Sequence, residues 1–355
     1  MATPKDEGFY MPAEWHPHTA TWMAWASLQE TYEEAPQGPE TAFGMAKEAY
    51  GAVAKAIARF EPVNMIVNKA DVEEAKQFCG PAVNVIEAEI DDGWFRDSGP
   101  SFLIDRKGGM AGVNWVFNGW GNKHPHAKDA KIARTILNRE GIKCFDCPLV
   151  TEGGALHVDG EGTLLASENS IINQNRNPGL TRAEIEQYLI DYLNLKKIIW
   201  LNGDIPGDET DGHIDGLACF IRPGTVMASV TPNKNHPDYD VLQENLEILK
   251  SSSDAKGRPL KVVEVHNPAQ FTEDGMTFTG IYLNHYIVNG AVILPLSGFS
   301  EDDQKALSLF KREFPRHEVV PVPSTVVWFG GGNVHCITQQ QPAVDVTDCR
   351  EAKIK

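Results

Sequence analysis

Four segments of this chain share one pattern, in which a short β-strand, a turn containing glycine and a second β-strand follow one another. They cover residues 101–115, 156–167, 213–229 and 282–296. Hairpin units that recur at this length are typical of folds built by radial or stacked repetition, as in propellers. Because sequence identity between the units is low, chance hairpins in an ordinary α/β sheet are the alternative.

Amphipathic helices alternate with these β-rich segments. The helical patterns cover residues 40–60, 127–140, 181–193, 239–251 and 301–314, and Thr181 with Glu184 has the pattern of a capping box. The predicted strands cover residues 63–67, 101–104, 110–116, 163–167, 197–201, 217–221, 225–229, 262–265, 282–288, 291–295 and 319–322. The alternation of helix and strand predicts the α/β class.

A shorter repeat links the middle of the chain to a glycine-rich segment that leads into Cys336. The Gly-Gly-x-x-His core of residues 153–157 recurs 178 positions later, at residues 331–335. Glycines allow positive φ and close approach to a ligand, which makes Gly331 a candidate substrate contact. A thiol beside a histidine can exist partly as thiolate, the nucleophilic form. The alternative is a buried, inert cysteine at a glycine bulge.

Acidic residues and a histidine stand beside glycine at other hairpin edges, in residues 94–100, 152–154 and 211–216. If the last segment is extended, its period of two puts Asp211, His213 and Asp215 on one face. Asp211 is a further candidate substrate contact. Apolar residues continue that face from residue 217 onward. This pattern fits the mouth of a site and an ordinary strand end equally well.

Composition limits the partners of the chain. Its 355 residues carry a formal net charge of −17 without a cluster of Lys and Arg, which argues against nucleic acid as a ligand. No apolar run approaches the roughly 18 residues of a membrane span, and the N-terminus has no signal-peptide pattern. Six cysteines are too sparse for a disulfide framework. We therefore expect a cytoplasmic protein that binds neither nucleic acid nor membrane.

One cysteine, one histidine and several carboxylates suit attack on a guanidinium carbon. Such a substrate is a cation with its charge spread over three nitrogens, so carboxylates can hold it in bidentate fashion and aim its carbon at sulfur. A histidine beside the scissile nitrogen would protonate the departing ammonia and then deprotonate the hydrolytic water. Acyl transfer would instead require N–H donors for an oxyanion.

Five motifs spread over nearly the whole chain carry a family resemblance. They read WFRDSGP at 94–100, EGGALHVDGEG at 152–162, NQNRNP at 173–178, GHID at 212–215 and GGGNVHCITQQQP at 330–342. Together they resemble the agmatine deiminase family of the guanidine-modifying pentein superfamily, over residues 11–342. The C-terminal motif is highly specific.

The resemblance implies one catalytic domain over residues 1–355, an α/β propeller of five ββαβ units around a central channel, with neither metal nor organic cofactor. Cys336 would form an amidino-cysteine intermediate and His213 would be the acid/base. Asp97 and Asp215 would grip the guanidinium, and Glu152 would border the same pocket. The implied reaction converts agmatine and water into N-carbamoylputrescine and ammonia, within polyamine biosynthesis.

Two tryptophans are candidate substrate contacts. Trp94 would lie against the aliphatic chain or distal ammonium of the substrate, where a cation–π contact is worth about 0.5–2 kcal/mol. Trp120 is a weaker candidate for the same substrate contact. For both tryptophans the alternative is packing in the core. A small cationic guanidine is thus the expected partner, and homo-oligomer formation is left open.

Departures from the common family motifs bear on the tail of the substrate. Residues 114–122 read NWVFNGWGN where the family commonly has DWxFNAWGG, and His285 stands where it commonly has Phe. A polar side chain near the channel would reshape the pocket, so a different small guanidine compound is an alternative substrate. Arginine is disfavoured, because its carboxylate would require a dedicated Arg and strand alternation turns Arg96 away from Asp97.

Two other functions stay open. A metal-dependent hydrolase could use His157, Asp208, Asp211, His213 and Asp215 as ligands, although it leaves Cys336 unexplained. A non-enzymatic propeller could grip the Arg side chains of cationic peptides with its acidic loops. The pair Cys144 and Cys147 has zinc or redox spacing, but a lone pair is weak support for a zinc site, so we predict a structural role.

Overall fold

A computed structural model describes residues 2–268 and 279–344. The strands are β1 (His18–Ala24), β2 (Val63–Val67), β3 (Val83–Glu87), β4 (Ser101–Ile104), β5 (Met110–Val116), β6 (Lys143–Val150), β7 (Leu156–Val158), β8 (Thr163–Ser167), β9 (Lys197–Leu201), β10 (Ala218–Arg222), β11 (Thr225–Val230), β12 (Lys261–His266), β13 (Tyr286–Val288), β14 (Ala291–Pro295), β15 (Glu318–Val322) and β16 (Thr338–Pro342). The helices are α1 (Pro39–Ile57), α2 (Val72–Cys79), α3 (Phe95–Ser98), α4 (Gly119–Asn122), α5 (Asp129–Arg139), α6 (Glu168–Ile171), α7 (Arg182–Leu193), α8 (Tyr239–Ser251), α9 (Ser300–Glu313) and α10 (Thr325–Trp328).

The described strands form five small sheets. Four of them have three strands each, in the orders β4-β5-β6, β7-β8-β9, β10-β11-β12 and β13-β14-β15. In every case the first two strands pair as an antiparallel hairpin, and the third lies parallel to the second. A parallel return needs a crossover, which α5, α7, α8 and α9 provide.

The fifth sheet is built from both ends of the described chain. Its order is β16-β1-β2-β3, with β16 antiparallel to β1 and β2 parallel to β1 after the crossover helix α1. Its hairpin is therefore split between residues 18–24 and 338–342. The predicted α/β fold of five small sheets is confirmed, and the sequence pattern revealed only four hairpins because the fifth is not contiguous.

The predicted helices all occur, with ends shifted by a few residues. Helix α7 begins with both hydrogen bonds of the capping box between Thr181 and Glu184. The strand predicted at 282–288 is wrong in its first half, because residues 282–285 form turns in which the Asn284 N–H bonds to the Gly280 carbonyl. The expectation that Arg96 and Asp97 alternate in a strand is also wrong, since both lie in the helical turn α3.

Cys144 and Cys147 lie on strand β6, three residues apart and so on opposite faces. Cys147 is buried, Cys144 is partly exposed, and both are free thiols. A shared zinc ion would need the two sulfurs to converge, so this geometry supports a structural role.

Each of the five hairpins is preceded by a short turn, and we term these segments the lead turns. They are α3, the 3₁₀ turn Gly153–Ala155, the 3₁₀ turn Ile214–Gly216 with its preceding residues, residues 279–285 and residues 330–337. The first lead turn contacts the second, and the second contacts the third. Asn284 of the fourth bonds to His335 and Cys336 of the fifth. The pseudo-repeat thus brings equivalent segments of all five units together.

Of the described helices, none is long and apolar enough to cross a membrane.

Candidate active site

The lead turns bring two carboxylates and an imidazole around one point. A Cβ built on Gly154 would lie 2.5 Å from His213 Nδ1, 2.8 Å from Asp97 Oδ1 and 3.2 Å from Asp215 Oδ2. All three side chains are buried. These three groups therefore meet over Gly154, where any side chain would collide with them, and we term this place the Gly154 site.

Cys336 lies at the edge of the same site. Its Sγ is 3.4 Å from Asp215 Oδ2 and accepts a hydrogen bond of 3.1 Å from Asn284 Nδ2. Burial, followed by the charges of Asp215 and Asp97, raises the pKa of the Cys336 thiol well above its ordinary value. The histidine next to Cys336 in the sequence, His335, bonds to Asp215 rather than to the sulfur.

His213 is enclosed by carboxylates. Its Nε2 is 3.4 Å from Glu152 Oε2, and its buried Nδ1 is 3.7 Å from Asp97 Oδ2. Burial by itself lowers the pKa of His213, but Asp97, Glu152 and Asp215 outweigh burial and raise that pKa to about 9. At neutral pH the ring is therefore an imidazolium. Its Nδ1 has no hydrogen-bond partner among the described residues and is free to donate into the site.

The pKa of His213 predicts a pH-dependent part of the stability. Because the folded pKa of about 9 lies above the unfolded value of 6.5, this stabilisation is complete below pH 6.5 and disappears as the pH rises through 9. We expect the free energy of unfolding to fall by roughly 2–3 kcal/mol over this range in the wild type. Denaturant unfolding of His213→Asn at both pH values should lack most of this decrease, and equal slopes would contradict the assignment.

Glu152 is held by a buried arginine that the sequence analysis did not single out. Arg176 Nε donates to Glu152 Oε1 at 2.7 Å, and both side chains are fully buried. The other Glu152 oxygen faces His213. Although burial raises the pKa of Glu152, its contacts with His213 and Arg176 outweigh burial and lower that pKa. The NQNRNP motif contains Arg176, but the burial that makes it need a charged partner is visible only in the structure.

Asp211 supports Arg176 rather than lining the Gly154 site. It has φ of +62°, and residues 214–216 form a 3₁₀ turn, so the expectation that Asp211, His213 and Asp215 share an extended face is wrong. The Asp211 carboxylate pairs with Arg176 at 2.6 Å and with Lys123 at 2.9 Å. It therefore fixes Arg176 and, through it, Glu152.

Both candidate tryptophans lie at the site. Trp120 Nε1 donates to Asp97 Oδ2 at 2.9 Å, and Trp94 Nε1 donates to Asp92 at 3.0 Å. A Cβ on Gly332 would lie 2.7 Å from the Trp94 ring and 2.9 Å from Cys336 Sγ, so Trp94 and the thiol share one wall. Gly331 has φ of +99° and nothing near its Cβ position. Within the protein, Gly332 rather than Gly331 packs closely against Trp94 and Cys336.

Substitution of Gly154 gives a direct test of the close packing at the site. We expect Gly154→Ala to lower kcat/KM for the substrate by about 10²-fold or more, because the new methyl group would displace His213 and Asp97 from their reactive geometry. Gly216→Ala is the matched control, since its Cβ would meet nothing within 4 Å. Steady-state kinetics of both variants would contradict the packing argument if Gly154→Ala retained wild-type activity.

The alternative metal site is not assembled as predicted. Asp211 pairs with Lys123 and Arg176, and Asp208 accepts hydrogen bonds from Thr210. Within residues 2–268 and 279–344, the one group of three ligand-type side chains with atoms within 4.8 Å of one another is Glu14, His157 and His335. It shares only His157 with the predicted set.

The chain is similar to known proteins over nearly its whole length. The family model of Porphyromonas-type peptidyl-arginine deiminase matches residues 10–342. A putative agmatine deiminase of Legionella pneumophila is 46% identical over 341 residues, which are 96% of each chain. The agmatine deiminase of Pseudomonas aeruginosa is 42% identical over 96% of this chain and 98% of its own. The solved structure of Enterococcus faecalis agmatine deiminase superposes with a TM-score of 0.89 at 36% identity, over 97% of this chain and 99% of that one. The chain therefore belongs to the agmatine deiminase family, within the group described as Porphyromonas-type peptidyl-arginine deiminases.

Proposed function

We propose that this protein is an agmatine deiminase that hydrolyses agmatine to N-carbamoylputrescine and ammonia through an amidino-cysteine intermediate. One observation carries the proposal: Asp97, Asp215 and His213 surround a single point beside the Cys336 thiol. Full-length relatives with this activity in their names support it.

The carboxylates give the site its preference for a planar cation. Burial, with the charges of Asp215 and Glu152, raises the pKa of Asp97. A guanidinium placed between Asp97 and Asp215 would stabilise both carboxylates as anions through charge-assisted hydrogen bonds. It would also offset the negative charge that keeps the Cys336 thiol protonated. Substrate binding therefore favours the thiolate at the moment when its target carbon arrives.

His213 supplies the proton transfers. As the cation binds, Cys336 loses its proton to solvent and attacks the guanidinium carbon as the thiolate; the imidazolium protonates the departing nitrogen, so that ammonia leaves and the C–S bond stays. The neutral imidazole then takes a proton from water, whose hydroxide attacks the same carbon. The C–S bond breaks, and the departing sulfur is reprotonated by the proton that the hydroxyl group loses. Each role of this kind is worth about 10²- to 10⁴-fold in rate. The proton taken from water restores the imidazolium, which Glu152 and Asp97, on either side of the ring, stabilise.

The geometry favours a slim free guanidine over arginine. The site is closed, because Cys336, Asp97, His213 and both tryptophans are buried. Two described arginines close to the site are already engaged: Arg176 pairs with Glu152, and Arg96 donates to the His335 carbonyl and to Gln340 and lies 3.9 Å from Glu14. Arg222 pairs with Glu313. Among the described residues, the carboxylate of arginine would therefore compete with Glu152 or Glu14 for a cation, which disfavours arginine in a buried site.

Ammonia release from agmatine and from arginine tests the proposal. We expect kcat/KM for agmatine to exceed that for arginine by about 10²-fold or more, since the carboxylate of arginine would compete with Glu152 or Glu14 for a cation. Mass spectrometry should detect N-carbamoylputrescine, and EDTA should leave the rate unchanged. Loss of the rate with EDTA and its return with a divalent cation would favour the metal-dependent alternative. Binding of agmatine without ammonia release would favour the non-enzymatic one.

We further propose that the chain works as one catalytic domain, because the site draws on the lead turns of all five units. A cytoplasmic setting suits the chemistry, since a nucleophilic thiol has to stay reduced.

A further inference from the structure

A buried chain of hydrogen bonds runs from strand β13 to Cys336. The Ile287 N–H donates to Glu14 Oε1 at 2.8 Å, and Glu14 Oε2 lies 2.8 Å from His335 Nε2. His335 Nδ1 lies 2.8 Å from Asp215 Oδ2, which is 3.4 Å from Cys336 Sγ. The His335 imidazole thus lies between the carboxylates of Glu14 and Asp215, which come from distant parts of the chain. We term Glu14, His335 and Asp215 the clamp.

We propose that Glu14 and His335 are positioning residues for the deiminase reaction, and that their ion pair fixes the Asp215 carboxylate that receives the substrate guanidinium. This inference rests on the proposed function. Glu14 and His335 would act through Asp215, whose Oδ2 contacts the His335 ring and also lies 3.2 Å from the Cβ position of Gly154.

The surroundings hold the clamp in one orientation. Arg96 donates to the His335 carbonyl from Nε and to the Cys336 carbonyl from its backbone N–H. Its guanidinium is 3.9 Å from Glu14 Oε2, and the His157 ring lies parallel to that of His335 at 6.1 Å. His157 is the counterpart of His335 in the Gly-Gly-x-x-His repeat. A guanidinium this close to Glu14 disfavours a metal ion and favours an ion-pair network.

The charges agree with the geometry. Burial and Arg96 lower the pKa of His335, but Glu14 and Asp215 outweigh them and raise it. Burial raises the pKa of Asp215, whereas the hydrogen bond and charge of His335 outweigh burial and lower it. Glu14 is faced by Arg96, His157 and His285 as well as by His335. Loss of the Glu14 charge would therefore neutralise His335 and let Asp215 take up a proton at a higher pH.

Glu14→Gln tests the clamp, because Gln keeps the size of the side chain and an acceptor for Ile287. We expect kcat/KM for agmatine to fall about 10- to 10²-fold at neutral pH, and the acidic limb of its pH profile to move to higher pH by about one unit. His335→Asn should move the limb in the same direction, since a neutral donor toward Asp215 cannot replace a cation. A purely structural role would lower the melting temperature without moving the limb.

The matched control is Glu61→Gln. Glu61 pairs with His18 at 2.9 Å in an equally buried His–carboxylate pair, with hydrogen bonds to Thr21 and Asn289 rather than to the site. This variant should lose stability but keep the wild-type pH limb. An unshifted limb in Glu14→Gln, or an equal shift in Glu61→Gln, would overturn the proposal.

A measurement on the wild type covers the case in which Glu14→Gln does not fold. Nitrogen NMR of ¹⁵N-histidine-labelled protein should show both ring nitrogens of His335 protonated at pH 7.5, and a neutral ring would overturn the clamp. If the wild type fails to release ammonia from agmatine, the proposed function fails instead, and the NMR result still decides whether the ion pair exists.

Discussion

Replacing Cys336 with Ser should lower kcat for agmatine by about 10⁴-fold or more while leaving the fold intact. The hydroxyl of serine is almost wholly protonated at neutral pH, and its activation requires a base within hydrogen-bonding distance. The ring of His335 is engaged by Asp215 and Glu14, and that of His213 is already protonated at neutral pH. Steady-state ammonia release and a thermal melt on the same preparation give both readouts.

Cys147→Ser is the matched control for this variant. Cys147 is also a buried free thiol, on strand β6 and within an apolar cluster. Its replacement should lower stability modestly and leave turnover within a few-fold of wild type. Mass spectrometry of the wild type quenched during turnover should also detect an amidino adduct on Cys336. Near-normal turnover by Cys336→Ser would remove the nucleophilic role altogether.

Local motifs were enough to find the residues that meet at the Gly154 site. Asp97, His213, Asp215 and Cys336 each stand in a glycine-containing segment just before a hairpin, and glycine there signals backbone that approaches another group closely. The sequence could not show that these segments are equivalent positions of a repeat. Asn284 occupies the same place before β13, and recognising that equivalence would have identified it as a partner of the thiol.

The residues that act on the site through other side chains could not be predicted from the sequence, for a different reason. Arg176, Glu14 and Asp211 act through partners that are far away in the chain, such as His335 for Glu14. Long-range pairing of this kind leaves no periodic signal, in contrast to the helices and strands, whose boundaries follow from local patterns. The same holds for strands β1 and β16, which pair with each other although they lie at opposite ends of the described chain.

Asp97→Asn should lower kcat/KM for agmatine by about 10³-fold, through two effects that add. The guanidinium would lose one of its two anionic partners. Asp97 also accepts hydrogen bonds on both oxygens, from the Gly154 N–H at 2.8 Å and from Trp120 Nε1 at 2.9 Å. An amide has one acceptor, so its NH₂ group would face one of these donors and leave a buried group unsatisfied.

The pH profile separates this mechanism from simple misfolding. Asp97 is the first of the carboxylates that raise the pKa of His213, so its neutralisation should lower that pKa from about 9 and move the alkaline limb of kcat to lower pH. Asp105→Asn is the control, because Asp105 is partly exposed in the β4–β5 turn, where it accepts N–H groups from Lys107 and Gly109. A comparable loss in Asp105→Asn, or an unmoved alkaline limb in Asp97→Asn, would show that Asp97 neither grips the guanidinium nor sets the protonation of His213.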